Sequence, residues 1–103
     1  MTITQEDADA RLANDLHAAE HTVNGLVTVP MTQNQFDALV SLCFNIGSGN
    51  FAHSTLLRLM NEGDTAGASG QFLAWCKTDG QVNQGLLNRR HAEMQLFDTE
   101  VAG

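Results

Sequence analysis

Between Thr32 and Phe44 the apolar residues Phe36, Leu39, Val40, Cys43 and Phe44 recur at spacings of three and four, one face of an α-helix. Thr32 stands three residues ahead of Gln35, with Pro30 just upstream. That is the pattern of a capping box at a helix start. Gly47 and Gly49 predict where the helix ends. An apolar stripe of this width has to pack against other elements, so the segment predicts the central beam of a small all-α domain.

The flanking sequence supplies the elements to pack on it. Thr4 is a good N-cap, and Gln5, Glu6 and Asp7 put acids and an amide in a first turn, where the helix dipole favours negative charge. Leu12, Leu16, Ala19 and Val23 recur at helical spacing and predict a helix from residue 5 to about 23, closed by Asn24-Gly25. Leu26-Val27-Thr28-Val29 has no strand partner nearby and is predicted to be an extended connector. After the central helix, Gly47-Ser48-Gly49-Asn50 is predicted to be a loop. Ser54 then caps a short helix packed through Leu56, Leu57, Leu59 and Met60 and ended by Asn61-Glu62-Gly63. Asp64 caps the next helix, whose apolar side is Ala66, Ala68, Phe72, Leu73 and Trp75. Gly67 and Gly70 inside it predict close helix–helix contact or a break. Lys77 to Gln81 is predicted to be a turn, Leu86 to Phe97 a last helix, and residues 98–103 a frayed tail. Residues 1–103 form one domain, with the helical core over 32–97.

Length and charge narrow the function classes. A chain of 103 residues with 43% hydrophobic and 17% charged residues is long enough to bury a real core. Five Lys and Arg against twelve Asp and Glu give a net charge of −7. Such a surface is poorly suited to gripping nucleic acid or an anionic membrane directly; it favours solubility or a basic partner. Cys43 and Cys76 are the only cysteines and are expected to be buried free thiols rather than a disulfide scaffold. The first residues have neither a basic head nor an apolar run, so no signal peptide is expected. No segment approaches the length needed to cross a bilayer.

Residues with chemical potential are few. His17 and His21 stand one turn apart beside Glu20, a spacing that can hold a metal, but no third ligand belongs to them; they are predicted to be surface histidines, with no metal and no cofactor. Glu6 and Asp15 both fall on the first helix. A glycosidase acid needs an apolar cleft and a second carboxylate across the sugar, whereas Glu6 lies in a solvated first turn. Trp75 is suited to stacking on a sugar ring, although a lone tryptophan is more often core, given the area it can bury. Asn45, Ser54, Thr55, Gln84 and Asn88 are suited to bonding hydroxyl and acetamido groups. Arg89-Arg90 with Glu93 is predicted to be an exposed salt-linked helix face of little energetic weight.

A longer pattern is more specific. Asn34-Gln35-Phe36-Asp37-Ala38-Leu39-Val40-Ser41, Phe44-Asn45-Ile46-Gly47, Ser54-Thr55-Leu56-Leu57, Gly63-Asp64, Phe72-Leu73-Ala74-Trp75 and Gly85-Leu86-Leu87-Asn88-Arg89-Arg90-His91-Ala92-Glu93 occur in this order. Together they resemble the bacteriophage endolysins of glycoside hydrolase family 24, the phage-type lysozymes or muramidases of the lambdoid kind. The resemblance runs from Ile3 to Phe97. Thr65 departs from the family's usual aromatic, and Cys76 follows the tryptophan. It implies a lysozyme-like helical lobe of about five helices, without the catalytic β-hairpin lobe. It also implies that Phe44, Asn45, Ser54, Trp75 and Asn88 lie near or behind the wall of a glycan cleft.

The resemblance also implies a gap. Family members carry a catalytic glutamate, then an aspartate or cysteine and a threonine on a small β-hairpin, upstream of everything matched here. Glu6 and Asp15, with eight residues between them, imitate that Glu-to-Asp interval. The threonine then misses by one, at Thr22, and the surrounding sequence matches the helix that follows the catalytic region. No catalytic residue is therefore assigned. The resemblance implies a truncated endolysin-like chain whose family activity is peptidoglycan hydrolysis but which is inactive alone. General acid catalysis supplies a factor of about a hundred or more, and its donor is not found. The alternative is a phage or prophage protein-binding module, such as an acidic inhibitor of a host nucleic-acid-binding system. The expected partners are accordingly a peptidoglycan strand or a host protein. A homodimer through Leu12, Leu16 and Val23, uncovered on the first helix, is a further expectation. The expected location is the host cytoplasm, or the periplasmic cell wall for an acting endolysin.

Overall fold

The computed structural model describes residues 5–99, with side chains from Leu16 onward. The described helices are α1 (Gln5–Leu26), α2 (Gln33–Ile46), α3 (Ser48–Ala52), α4 (Thr55–Asn61), α5 (Thr65–Gln71) and α6 (Gln84–Asp98). A 3₁₀ turn spans Phe72–Trp75, and a small hairpin pairs β1 (Lys77–Thr78) with β2 (Gln81–Val82). The fold is mostly helical, as the sequence periodicity predicts. The expected cap at Thr4 and the expected tail over residues 100–103 lie outside the described residues.

Helix α2 is the beam on which the rest is laid, packing chiefly against α6 and α1. Its capping box is complete: Thr32 Oγ1 accepts from Gln35 N–H at 3.0 Å, and Gln35 Oε1 accepts from Thr32 N–H at 2.9 Å. Ala38, Leu39, Val40, Leu42 and Cys43 are buried along it. They meet Ala19, Val23 and Val27 on one side, and Phe51, Leu56, Met60, Phe72 and Phe97 on the others. Phe72 and Phe97 touch with ring centroids 5.4 Å apart and planes tilted by 59°, a favourable aromatic geometry. Both cysteines are buried free thiols.

Four local expectations are corrected. Helix α1 runs past Asn24-Gly25 to Leu26, and Val27 N–H still bonds Val23 O at 3.0 Å. The cause is distant in sequence. Asn61 on α4 donates its amide to Leu26 O at 2.9 Å and accepts from Thr28 N–H at 2.8 Å, satisfying backbone groups that a helix end leaves unpaired. The loop predicted at 47–50 is instead Gly47 followed by α3. Gly47 takes φ of +94°, open to glycine at little cost, and the turn it permits sends Phe51 into the core.

The break predicted within the fifth helix comes after Gln71, where the chain tightens into the 3₁₀ turn. Gly67 makes its close approach to the Asp64 carboxylate rather than to another helix. Asp64 accepts from Gly67 N–H at 2.9 Å, and a Cβ at residue 67 would collide with that cap. Finally, the turn predicted at 77–81 is the tip of an antiparallel hairpin with Lys77 opposite Val82 and Thr78 opposite Gln81. Asp79 and Gly80 have φ of +52° and +81°, as a two-residue primed turn requires.

The expected dimer surface is also reduced. Val23 is fully buried in the protein's own core and Leu16 is 37% exposed, while the side chain of Leu12 lies outside the described residues.

Replacing Asn61 with alanine should lower the unfolding free energy by about 1–2 kcal/mol, because two backbone groups lose their partner together. Urea unfolding checks this. An unchanged midpoint would mean that α1 holds its last turn without Asn61.

Candidate functional site

The C-terminal end of α2 sets the geometry of the site. Asn45 and Ile46 end that helix, Asn50 stands on α3 directly after the Gly47 turn, and Ala74 and Trp75 come from the 3₁₀ turn. Lys77 opens the hairpin and Leu86 lies in the first turn of α6. These residues line one pocket of about 450 Å³, within the size range of small-ligand sites. Ile46, Ala74 and Leu86 make part of the lining apolar, and Trp75, half-buried against the core, is its aromatic member. Asn45, Asn50 and Lys77 are exposed and supply amides and an ammonium. The arrangement suits a ligand that has both an apolar ring face and hydrogen-bonding groups, as a sugar does.

Of the five residues predicted to lie by a glycan wall, Asn45 and Trp75 share this pocket. Phe44 is one residue further round the helix and lines a separate depression with Ala18, Cys43 and Ser48. Ser54 is 7% exposed and acts as an N-cap: its hydroxyl donates to Phe51 O at 2.7 Å and accepts from Leu57 N–H at 3.1 Å. Asn88 is exposed on α6, where its Oδ1 accepts from Gln84 at 2.9 Å. Asn50 and Lys77 also line this pocket, and in the sequence their segments read only as loop and turn.

The largest correction concerns Arg90 and Glu93. They are not an exposed face. The Arg90 side chain is fully buried and that of Glu93 is 5% exposed. Arg90 Nε lies 2.8 Å from Glu93 Oε1, close enough for an ion pair but not aligned as a hydrogen bond. Arg90 Nη2 donates to Glu93 Oε2 at 3.3 Å and to Asn45 Oδ1 at 3.0 Å. The Ser41 hydroxyl donates to Glu93 Oε2 from α2. Arg90 Nη1 finds no acceptor among the described residues. The signal was present in the sequence: Leu86, Arg90, Glu93 and Phe97 follow spacings of four, three and four, which is the inward stripe of α6.

Burial pushes the Glu93 carboxyl above its usual range, opposed by the Ser41 hydrogen bond and by the charges of Arg90 and Arg89. Burial likewise pulls the Arg90 guanidinium down, opposed by Glu93. The Cys43 thiol is raised by burial, opposed by a contact with Ser48. His17 and His21 are exposed on α1 with Glu20 half-buried between them. Among the described residues no group of three His, Cys, Asp or Glu side chains is placed to hold a metal ion. Among them, too, no helix is long and apolar enough to cross a membrane.

Known proteins share this sequence and fold. A family model described as phage lysozyme matches residues 1–93. The endolysin of Bacillus phage PZA is 47% identical over 97 residues, covering 94% of this chain and 38% of its own length. The endolysin of Salmonella phage P22 is 46% identical over 97 residues, covering 94% of this chain and 66% of its own. Among solved structures, the muramidase domain of SpmX from Asticaccaulis excentricus superposes with a TM-score of 0.83 at 48% identity. That match covers 94% of this chain and 69% of the other. A mutant lysozyme of phage P22 superposes with a TM-score of 0.80 at 43% identity, covering 96% and 67%. The chain thus spans between 38% and 69% of the length of these relatives.

Two outcomes follow from the site. Ser54→Ala should cost about 1 kcal/mol of stability through the lost cap; urea unfolding measures it, and an unchanged midpoint would contradict the capping role. The second concerns pH. Because Glu93 titrates higher in the folded state than unfolded, its ionisation costs stability between those two values. The stability of the wild type relative to Glu93→Gln should therefore fall as pH rises from the usual carboxylate range through the raised value. Urea unfolding across that range measures it, and a relative stability that climbs with pH would contradict the assignment.

Proposed function

Because the chain belongs to the phage lysozyme family, we propose that residues 1–103 form the helical wall of a peptidoglycan-binding cleft and do not cleave the glycan by themselves. The observation that carries this reading is the pocket at the end of α2. There Trp75 offers a stacking face, with Asn45, Asn50 and Lys77 beside it. Family resemblance puts the helical lobe on one side of a sugar-binding cleft, and this pocket has the chemistry such a wall needs.

The same chemistry argues against unaided hydrolysis. Protonating a glycosidic oxygen takes a carboxyl group with a raised pKa within hydrogen-bond reach of that oxygen. Among the described residues the carboxyl raised in this way is Glu93. It is buried against α2 and held by Ser41 and Arg90, so an incoming sugar has no route to it. In the family pattern the acid belongs to the β-hairpin lobe, upstream of the sequence matched here. The wall described here would orient a strand for an acid supplied from there. The site of action consistent with this reading is the peptidoglycan of a bacterial host.

Cosedimentation with insoluble peptidoglycan, paired with turbidity clearing by the same 103-residue polypeptide, tests both halves. Binding without clearing is expected. Clearing at an ordinary enzymatic rate would contradict the assignment of no catalytic residue, and absence of cosedimentation would contradict the cleft wall.

A further inference from the structure

Asn45 stands on the pocket wall with a buried guanidinium behind it. The contact from Arg90 Nη2 to Asn45 Oδ1 is 3.0 Å. A guanidinium has donors and no acceptor, so the amide atom facing it has to be oxygen. The NH₂ group of Asn45 is then the end left for the pocket. Asn50 gives the complementary case. Its amide lies 2.7 Å from the Ile46 carbonyl, an acceptor only, so the nitrogen is engaged there and Oδ1 is left over. Chemistry alone thus fixes both amide orientations. On the two amide residues that share the wall with Trp75, the unengaged ends are one donor, on Asn45, and one acceptor, on Asn50.

Arg90 is itself held in place. Glu93 takes its Nε and Nη2 sides, and Ser41 on α2 secures the Glu93 carboxylate. The chain Ser41–Glu93–Arg90–Asn45 therefore starts and ends on α2 and passes through α6. An exposed asparagine without such a partner can turn its amide by half a rotation and offer oxygen as readily as nitrogen. With Arg90 in place, that rotation would set NH₂ against a guanidinium.

We propose that Arg90 is a positioning residue of this site, holding the Asn45 amide so that its NH₂ meets a carbonyl on the ligand while Asn50 Oδ1 accepts the ligand's N–H. The group recognised is a secondary amide, and its source is the acetamido substituent of a hexosamine, whose methyl suits the apolar part of the lining. The ligand half of the proposal rests on reading the pocket as glycan-facing; the positioning half does not.

The test is nuclear magnetic resonance of the ¹⁵N-labelled 103-residue chain, alone and with tri-N-acetylchitotriose, cellotriose or a short blocked alanine peptide. Without ligand, the Asn45 side-chain NH₂ should be as ordered as the α2 backbone. It should become mobile in Arg90→Lys, while the α2 backbone resonances stay in place. Asn45→Asp keeps an oxygen for Arg90 and removes the donor. It should fold and bind the acetylated trimer about five- to tenfold more weakly, the worth of one hydrogen bond. Cellotriose, which lacks the amide, should bind the wild type more weakly by a similar factor.

An Asn45 NH₂ as mobile as any exposed amide in the ligand-free wild type would overturn the positioning role. That readout stands even if Arg90→Lys fails to fold. Equal affinity of Asn45→Asp and wild type for the acetylated trimer, or of wild type for both trimers, would overturn amide recognition. Preference for the alanine peptide would overturn the acetamido source. If no ligand moves the pocket resonances, the glycan-facing reading falls with the ligand half, while the ligand-free spectrum still decides the role of Arg90.

Discussion

The buried ion pair between Arg90 and Glu93 is the constraint around which α2 and α6 are arranged. Taking two charges out of water costs several kcal/mol for each ion, and their attraction repays it only when geometry and extra hydrogen bonds are both favourable. Here α2 contributes those bonds: the Ser41 hydroxyl donates to the carboxylate, and Asn45 Oδ1 accepts from the guanidinium. Helix α6 carries both members of the pair, so sliding or rotating on α2 would leave the charges together but take away the α2 hydrogen bonds that make their burial tolerable. Apolar packing alone, through Phe97, Leu39 and their neighbours, would tolerate small shifts at much lower cost. The pair contributes orientation more than net stability.

That orientation reaches the pocket. One end of the buried network is the side chain of Asn45, and the same stretch of chain carries Gly47, whose positive φ brings α3 and Asn50 round to the same wall. On the opposite side, the 3₁₀ turn and the hairpin bring Trp75 and Lys77 to meet them. The hairpin is closed by the bond from Asn83 N–H to Cys76 O at 2.8 Å, immediately before α6 begins. The residues that hold the lobe together and those that line the pocket are thus neighbours on the same elements.

Much of the fold was legible in the sequence because it is local. The capping box at Thr32, the apolar stripe of α2, and the caps at Ser54 and Asp64 each lie within a few residues of their partners. What was not legible depends on contacts far along the chain. The last turn of α1 relies on Asn61, and Ser54 looked available for a ligand because nothing local shows that Phe51 turns inward beneath it. The misreading of Arg90 has a different origin. An exposed reading follows from charge alone, whereas Leu86 and Phe97 frame Arg90 and Glu93 on one stripe of α6. A charged residue at an inward register position carries more information than the same residue elsewhere, because burial obliges it to find partners.

The central claim is that Arg90 and Glu93 act as one buried unit. A double-mutant cycle by urea unfolding tests it most directly, using Arg90→Met, Glu93→Leu and the two combined. If they form a unit, each single replacement strands a charge and costs about 3–5 kcal/mol, while the combined replacement costs less than either. Losses that simply add would show two independent side chains, and the account would be wrong.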